Sequence, residues 1–251
     1  MHHRIVSRHE WLDARRRLLR KERDVAAALS KLTEERRRLP WVRVEKRYEF
    51  DAPQGRCSLA DLFMGRSQLI VQHFMFAPGW QEGCVGCSFL ADHVDAARLH
   101  FEHHDVSFAA VSRAPLAQLE AFKRRMGWRF CWVSSFGSDF NYDYHVSFTP
   151  EQVAQGRVDY NYDLRELQNE ELPGISVFHR DADGAVHHTY SAYGQGTELL
   201  LGAYNYLELT PKGRNETGPN FDLTDWVRHH DRYEQQPQAC GCAGCQEGDE
   251  S

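Results

Sequence analysis

The stretch Gln68-Leu-Ile-Val-Gln-His-Phe-Met-Phe76, followed by Ala77-Pro-Gly-Trp-Gln-Glu-Gly83 and Cys84-Val-Gly-Cys87, decides the fold. Its first part is dense in apolar side chains and carries no Asp, Glu, Lys or Arg, the pattern of a strand covered on both faces. Pro78 and Gly79 break that pattern, and a helical one runs from Cys84 to His103. The two cysteines therefore stand where a buried strand hands over to a helix. Further along, Val106–Val111 reads as a strand, Pro115–Met126 as a helix opened by proline, and Arg129–Val133 as a strand. Strands separated by helices of this length imply parallel βαβ units. Residues 134–172 are irregular, polar and aromatic. Ile175–His179 and Ala185–Tyr190 then flank Asp181-Ala-Asp-Gly184, a hairpin turn. Glu198–Glu208 reads as a helix and Phe221–Tyr233 as a last one. The expected fold is α/β: a mixed sheet built as βαβαβ followed by a β-hairpin and a helix, with an N-terminal helical extension and an insertion before the hairpin.

The extension spans residues 1–40, the main domain 41–234 and a tail 235–251. Residues 8–39 carry Leu18, Val25, Leu32 and Leu39 at every seventh position, with Leu29 on the same side and no Gly or Pro before Pro40. This stripe is expected to pack on its own domain, pairing with a second chain being the alternative. Trp41–Phe50 alternates like a strand, and Ser58–Leu62 reads as a helical turn. Charge is uneven: residues 1–50 are net +7 and the remainder net −13. Arg15–Arg17 and Arg36–Arg38 are interleaved with acids and no nucleic-acid motif accompanies them, so no nucleic-acid partner is expected. A helical arm with its own acidic partners, docked on the acidic body, accounts for the asymmetry.

Hydrophobic residues make up 41% and charged residues 26% of the 251 positions, an ordinary globular composition. No apolar run is long enough for a transmembrane helix, and Met1-His2-His3-Arg4 leads into charge instead of a signal sequence. A cytoplasmic, reducing setting without membrane association is the expectation. Seven cysteines, an odd count, there point to redox chemistry, metal binding or burial and away from a disulfide framework.

Helix-terminal N–H groups and the helix dipole favour an anion at Cys84. A thiolate so placed has its pKa lowered from about 8.5 to as little as about 3.5–7.5. Cys87 lies one turn along the same face and is placed to attack a mixed disulfide formed at Cys84. Cys84 is thus the expected nucleophile, Cys87 the resolving thiol, and Gly86 leaves room between them. A CxxC at a strand-to-helix junction within a βαβ unit is a thioredoxin-type signal. Half of a zinc site and two inert buried thiols are the rival readings.

The segment Gln68–Asp92 resembles the signature of a bacterial thioredoxin-like family known as domain of unknown function 899 and described as a predicted dithiol–disulfide oxidoreductase. Ala110–Leu116, Ala121–Trp128, Ser134–Tyr142 and Ala203–Arg214 match it as well. The resemblance covers about residues 8–233. It implies a thioredoxin-like fold and a redox-active disulfide in place of a bound cofactor. The partners expected from the CxxC placement are a protein or small-molecule disulfide and an external thiol reductant. Val-Gly stands between the cysteines where thioredoxin has Gly-Pro. Pro173, separated from the hairpin strand by Gly174, is the candidate for thioredoxin's cis-proline. A peroxiredoxin-like peroxidase is a further alternative, but no threonine lies between Pro78 and Cys84, so disulfide exchange is preferred.

Supporting residues are sought nearby. Glu82 is a possible proton acceptor and Trp80 a docking aromatic. Arg113, at the end of a parallel strand, and Asp139, Asn141 and Tyr142, in the irregular insertion, are candidate substrate contacts. His93, His100 and His104 share a helix face, but a solvated face is the better reading, as for the pairs His187-His188 and His229-His230. His73 reads as a hydrogen-bonded core residue, and Cys57 and Cys131 as bystanders. Cys240, Cys242 and Cys245 form a tail cluster suited either to relaying electrons to Cys84 and Cys87 or to binding zinc or copper(I). A metal-binding or sensing module built from Cys84, Cys87 and these tail thiols is the alternative to an enzyme. A thioredoxin-fold adaptor without turnover is the third reading.

Overall fold

The computed structural model describes residues 3–166 and 169–234. The chain begins with helix α1 (Arg8–Arg37), β1 (Val42–Arg43), β2 (Glu49–Ala52) and β3 (Gly55–Ser58). Then come β4 (Gln68–His73), α2 (Val85–Glu102), β5 (Val106–Ser112), α3 (Leu116–Arg125) and β6 (Cys131–Ser134). The insertion holds α4 (Phe140–Asp143), α5 (Pro150–Ala154), β7 (Val158–Tyr160) and β8 (Asp163–Arg165), and the hairpin β9 (Gly174–Arg180) and β10 (Val186–Tyr193) precedes α6 (Gly202–Leu207).

Among the described residues eight strands form one sheet in the order β1-β10-β9-β4-β5-β6-β2-β3. β4, β5 and β6 run parallel, and β9 lies antiparallel to β4 on its other side. Alternation fixes this register, because a one-residue slip exchanges the two faces. Leu69, Val71, Ala109, Val111 and Val133 join Phe63, Phe140 and Phe178 in one core. Phe108, Ala110 and Trp132 point the other way and meet Leu119 and Phe122 of α3 together with Phe74, Phe76, Trp128 and Phe130. The rings interlock, with Phe74 and Trp132 centred 4.6 Å apart and Phe122 edge-on to Trp128 at 5.8 Å. The expected βαβαβ-then-hairpin order is the one observed, and the fold is thioredoxin-like.

Several expectations change. Trp41–Phe50 is not one strand. β1 pairs with β10 at one edge of the sheet and β2 with β6 near the other, so the chain between them crosses from edge to edge. The insertion is ordered by a capping box, Thr149 with Gln152, that starts α5, and by the β7–β8 ribbon. The Glu198–Glu208 helix is a 3-10 segment, Gly194–Leu200, followed by α6, because Leu201 leaves helical geometry at φ −87°, ψ 86°. The last helix is two single turns, Leu223–Asp225 and His230–Arg232. Leu223, Trp226 and Val227 pack there against Phe89, Leu90 and Tyr204, so tertiary contact overrides periodicity.

α1 departs most from expectation. Ser7 and Glu10 form its capping box. None of its residues is buried, and Leu18, Val25, Leu29 and Leu32 stand exposed instead of packing on the domain. Nor does it dock through charge. Arg15 pairs with Glu22, Arg16 with Asp13 and Arg38 with Glu34, all within residues 13–38. The helix is about 45 Å long, and its C-terminal end touches the sheet through Arg36 over the Tyr190 ring. No helix among the described residues is long and apolar enough to cross a membrane.

Candidate dithiol site

After β4 the chain stays extended, with Phe74 N–H donating to Val111 O at 3.0 Å. The loop returns so that Cys84 N–H donates to Met75 O at 3.0 Å. Cys84 is the N-cap of α2, its Sγ accepting from the Cys87 N–H at 3.4 Å. Cys87 is buried, and its Sγ accepts from Met75 N–H, also at 3.4 Å. Gln72 Nε2 donates to Cys87 O at 2.9 Å and Ser88 Oγ to Cys84 O at 2.8 Å. Strand and helix thus hold both sulfurs from opposite sides.

The two thiols are electrostatically unequal. A hydrogen bond from Cys87 lowers the pKa of Cys84 to about 7, helped by the N–H groups of Cys87 and Gly86 and opposed by burial. The same hydrogen bond, with burial and the Cys84 charge, raises Cys87 well above the usual thiol range. At neutral pH a large share of Cys84 is therefore thiolate, while Cys87 keeps its proton. Alkylation of Cys84 by iodoacetamide, followed by peptide mass spectrometry, is expected to rise with pH through a midpoint of about 7. A midpoint of about 8.5, that of an ordinary thiol, would show no activation.

A cavity of about 390 Å³ opens beside both cysteines. Met75, Leu90, Ile175, Leu201 and Leu223 make it largely apolar, while Gln72, His73 and Asp222 add polar groups. Gln72 Oε1 is buried there without a hydrogen-bond partner. At Gly86 a Cβ would crowd Leu223 Cδ1 at 3.1 Å. Gly174 is required, since its Cβ would meet Tyr193 Cδ1 at 2.6 Å. His73 is a hydrogen-bonded core residue, as expected, and also lines the cavity. Its Nε2 lies 2.7 Å from Ser176 Oγ, which leads through Ser191 to His188. Burial, with His188 adding, lowers its pKa to about 3, so the ring is neutral.

Of the supporting candidates, Pro173 alone lines this cavity. Its carbonyl accepts from Tyr160 OH at 2.7 Å. No cis peptide occurs among the described residues, so Pro173 is a trans proline, unlike the thioredoxin residue. Glu82 faces away from Cys84, into ion pairs with Arg125 at 2.5 Å and with Arg232. Burial works against its charge, but these cations hold its carboxyl below the usual range. Trp80 is exposed on the loop outside the cavity lining.

Arg113, Asp139 and Tyr142 gather instead around a separate pocket of about 240 Å³ with Pro78 and Phe136. Asp139 is paired with Lys46 at 2.8 Å, and the buried Asn141 accepts from Ser135 Oγ at 2.6 Å. These residues do not line the cavity beside Cys84. The insertion turns its polar side chains to ties with the rest of the domain, through Lys46, Tyr48 and Arg113.

Sequence reading missed Glu171. This carboxylate is 1% exposed, paired with Arg113 and hydrogen-bonded by Ser147 Oγ at 3.0 Å. Burial raises its pKa against the pull of Arg113, and its charge helps raise Cys87. Nothing in Glu170-Glu171-Leu172 signals it, because the partners come from remote segments. His93 ties α2 to α6, its Nδ1 donating to Phe89 O and its Nε2 accepting from Ala203 N–H. Cys57 and Cys131 sit at the core edge, their pKa values raised by burial, Cys57 to about 11. The tail cysteines Cys240, Cys242 and Cys245 lie outside the described residues.

A cysteine pair capping the helix that follows the central strand, with an antiparallel hairpin on that strand's other side, defines a thioredoxin-like protein. More narrowly, the chain belongs to the family described as bacterial protein of unknown function, DUF899, which matches residues 1–233. No curated protein matches it. Among solved structures it is similar to the peroxidoxin BcpB of Mycobacterium tuberculosis, at 14% identity and TM-score 0.41 over 67% of this chain and 97% of that one. It is also similar to peroxiredoxin Q of Xanthomonas campestris, at 13% and 0.41 over 62% and 90%. A candidate protein disulfide isomerase from Bacteroides thetaiotaomicron is similar at 15% and 0.39, over 66% and 91%. The fold assignment stands on the sheet topology.

Proposed function

We propose that the protein is a thiol–disulfide oxidoreductase acting through Cys84 and Cys87. The carrying observation is the asymmetry of the pair: an activated sulfur at a helix N-cap, hydrogen-bonded to a buried thiol that retains its proton. The Cys84 thiolate attacks one sulfur of a substrate disulfide, and the other leaves as a thiolate. That thiolate takes the Cys87 proton. Cys87 then attacks Cys84 Sγ, the mixed disulfide breaks, and the second substrate sulfur departs. Two electrons have passed to the substrate, and Cys84 and Cys87 are left joined. An external thiol reductant restores them. The apolar cavity beside the sulfurs suits one side of a small disulfide or the flank of a peptide one.

The test is single turnover. Fully reduced protein mixed with excess oxidised glutathione is expected to consume one disulfide per Cys84–Cys87 pair, with two glutathione thiols released. Absence of consumption, together with prompt reaction with hydrogen peroxide in a parallel sample, would replace this reading by a peroxidase.

A further inference from the structure

The β9–β10 hairpin carries a second set of chemistry-bearing side chains at the other end of β4. His73 of β4 pairs with Gly174 near the dithiol, whereas Gln68 pairs with His179. His179 faces His187 across the hairpin ladder, and Asp181 opens the turn between them. Asp181 Oδ1 lies 3.2 Å from His179 Nδ1, and its Oδ2 lies 3.5 Å from His187 Nδ1. All the donor atoms fall within 4.8 Å of one another.

Both Nδ1 atoms are shielded from solvent, and neither makes a hydrogen bond. Buried polar atoms almost always have a partner. Two imidazole nitrogens beside one carboxylate, without hydrogen-bond alignment to it, are an arrangement that a shared cation would satisfy. A tetrahedral cation with ligands at about 2.0–2.2 Å sets them roughly 3.3 Å apart. Asp181 stands near that separation from each histidine, through a different oxygen to each, and small side-chain rotations within the 4.8 Å cluster would close the rest. Trp41 packs over the histidines, its ring centred 4.9 Å from His179 and 6.0 Å from His187. On the open side, His179 and Asp181 border a groove of about 520 Å³.

We propose that His179, Asp181 and His187 bind a divalent cation of the zinc class, with a fourth position open to that groove. Two imidazoles and one carboxylate suit zinc, cobalt or nickel, and three protein ligands with one free position leave room for water or a small anion. No cysteine takes part, so the site is independent of the dithiol.

Cobalt(II) is the probe. It is titrated into the reduced full-length chain, with bound equivalents counted by equilibrium dialysis and coordination read from the visible spectrum. Cobalt on thiolates declares itself by sulfur-to-metal charge transfer, which keeps the cysteines apart from the hairpin. The expected result is one equivalent without that band, displaced by zinc and raising the thermal midpoint. His187→Ala and Asp181→Asn are each expected to weaken it by at least about tenfold, and His103→Ala to leave it unchanged. Circular dichroism checks the His187→Ala fold. Asp181→Asn, a nearly isosteric change of a turn residue, decides if that variant unfolds. Nitrogen- and oxygen-bound cobalt that persists in Asp181→Asn, or its absence from the wild type, overturns the site.

Discussion

Replacing Cys84 with serine is expected to cut disulfide turnover by at least about 1,000-fold. The reason is specific to this sulfur. Its pKa of about 7 leaves much of it as thiolate at neutral pH, whereas a hydroxyl there remains protonated and a poor nucleophile. The fold should survive, because serine is a favoured N-cap and its oxygen can accept the Cys87 N–H that Cys84 Sγ accepts now. Cys87→Ser should behave differently. The first attack proceeds, the mixed disulfide has no internal resolving thiol, and mass spectrometry finds half of the substrate attached to Cys84. Turnover falls, but the first half-reaction stays fast. If Cys87→Ser turned over like the wild type without accumulating the adduct, the assigned division of roles would be wrong.

Arg113→Met should destabilise the protein by about 3–5 kcal/mol at neutral pH. Glu171 would then keep a buried negative charge with Ser147 as its remaining hydrogen-bond donor. Its pKa, already raised by burial, would rise further without the guanidinium. A carboxyl whose folded pKa exceeds its unfolded value binds more protons in the native state, so lowering the pH favours folding through that group. The deficit of Arg113→Met relative to wild type should therefore shrink between pH 7 and pH 5. Urea unfolding at both pH values measures it. The double variant Arg113→Met, Glu171→Gln should recover most of the loss, because the unpaired charge is gone. A deficit that did not change with pH would mean that Arg113 acts through packing alone.

The elements that position the dithiol could be read from sequence because each carries its own local signal. β4 is a continuous apolar run, Pro115 opens α3, and Asp183-Gly184 marks the hairpin turn. Cys84 and Cys87 are likewise placed by chain order alone. What surrounds them could not be read so. Glu171 matters because Arg113 and Ser147 reach it from distant segments, and Glu82 and Asp139 are spoken for by Arg125 and Lys46, which no local pattern announces. The stripe on α1 is regular, but periodicity says that a face is apolar and not what covers it. His179 and His187 are eight residues apart in sequence and become neighbours only through the register of β9 on β10, so the pairing of His187 with its sequence neighbour His188 conceals it.

The most direct test of the central claim is the redox equilibrium of Cys84 and Cys87. The protein is equilibrated in dithiothreitol and glutathione buffers spanning roughly −320 to −180 mV, acid-quenched, alkylated and mapped by mass spectrometry. The expected result is a single disulfide joining Cys84 to Cys87, appearing along a two-electron Nernst curve while Cys57 and Cys131 stay reduced. Free thiols at both positions across the whole range, or bridges that join either one to another cysteine, would contradict it.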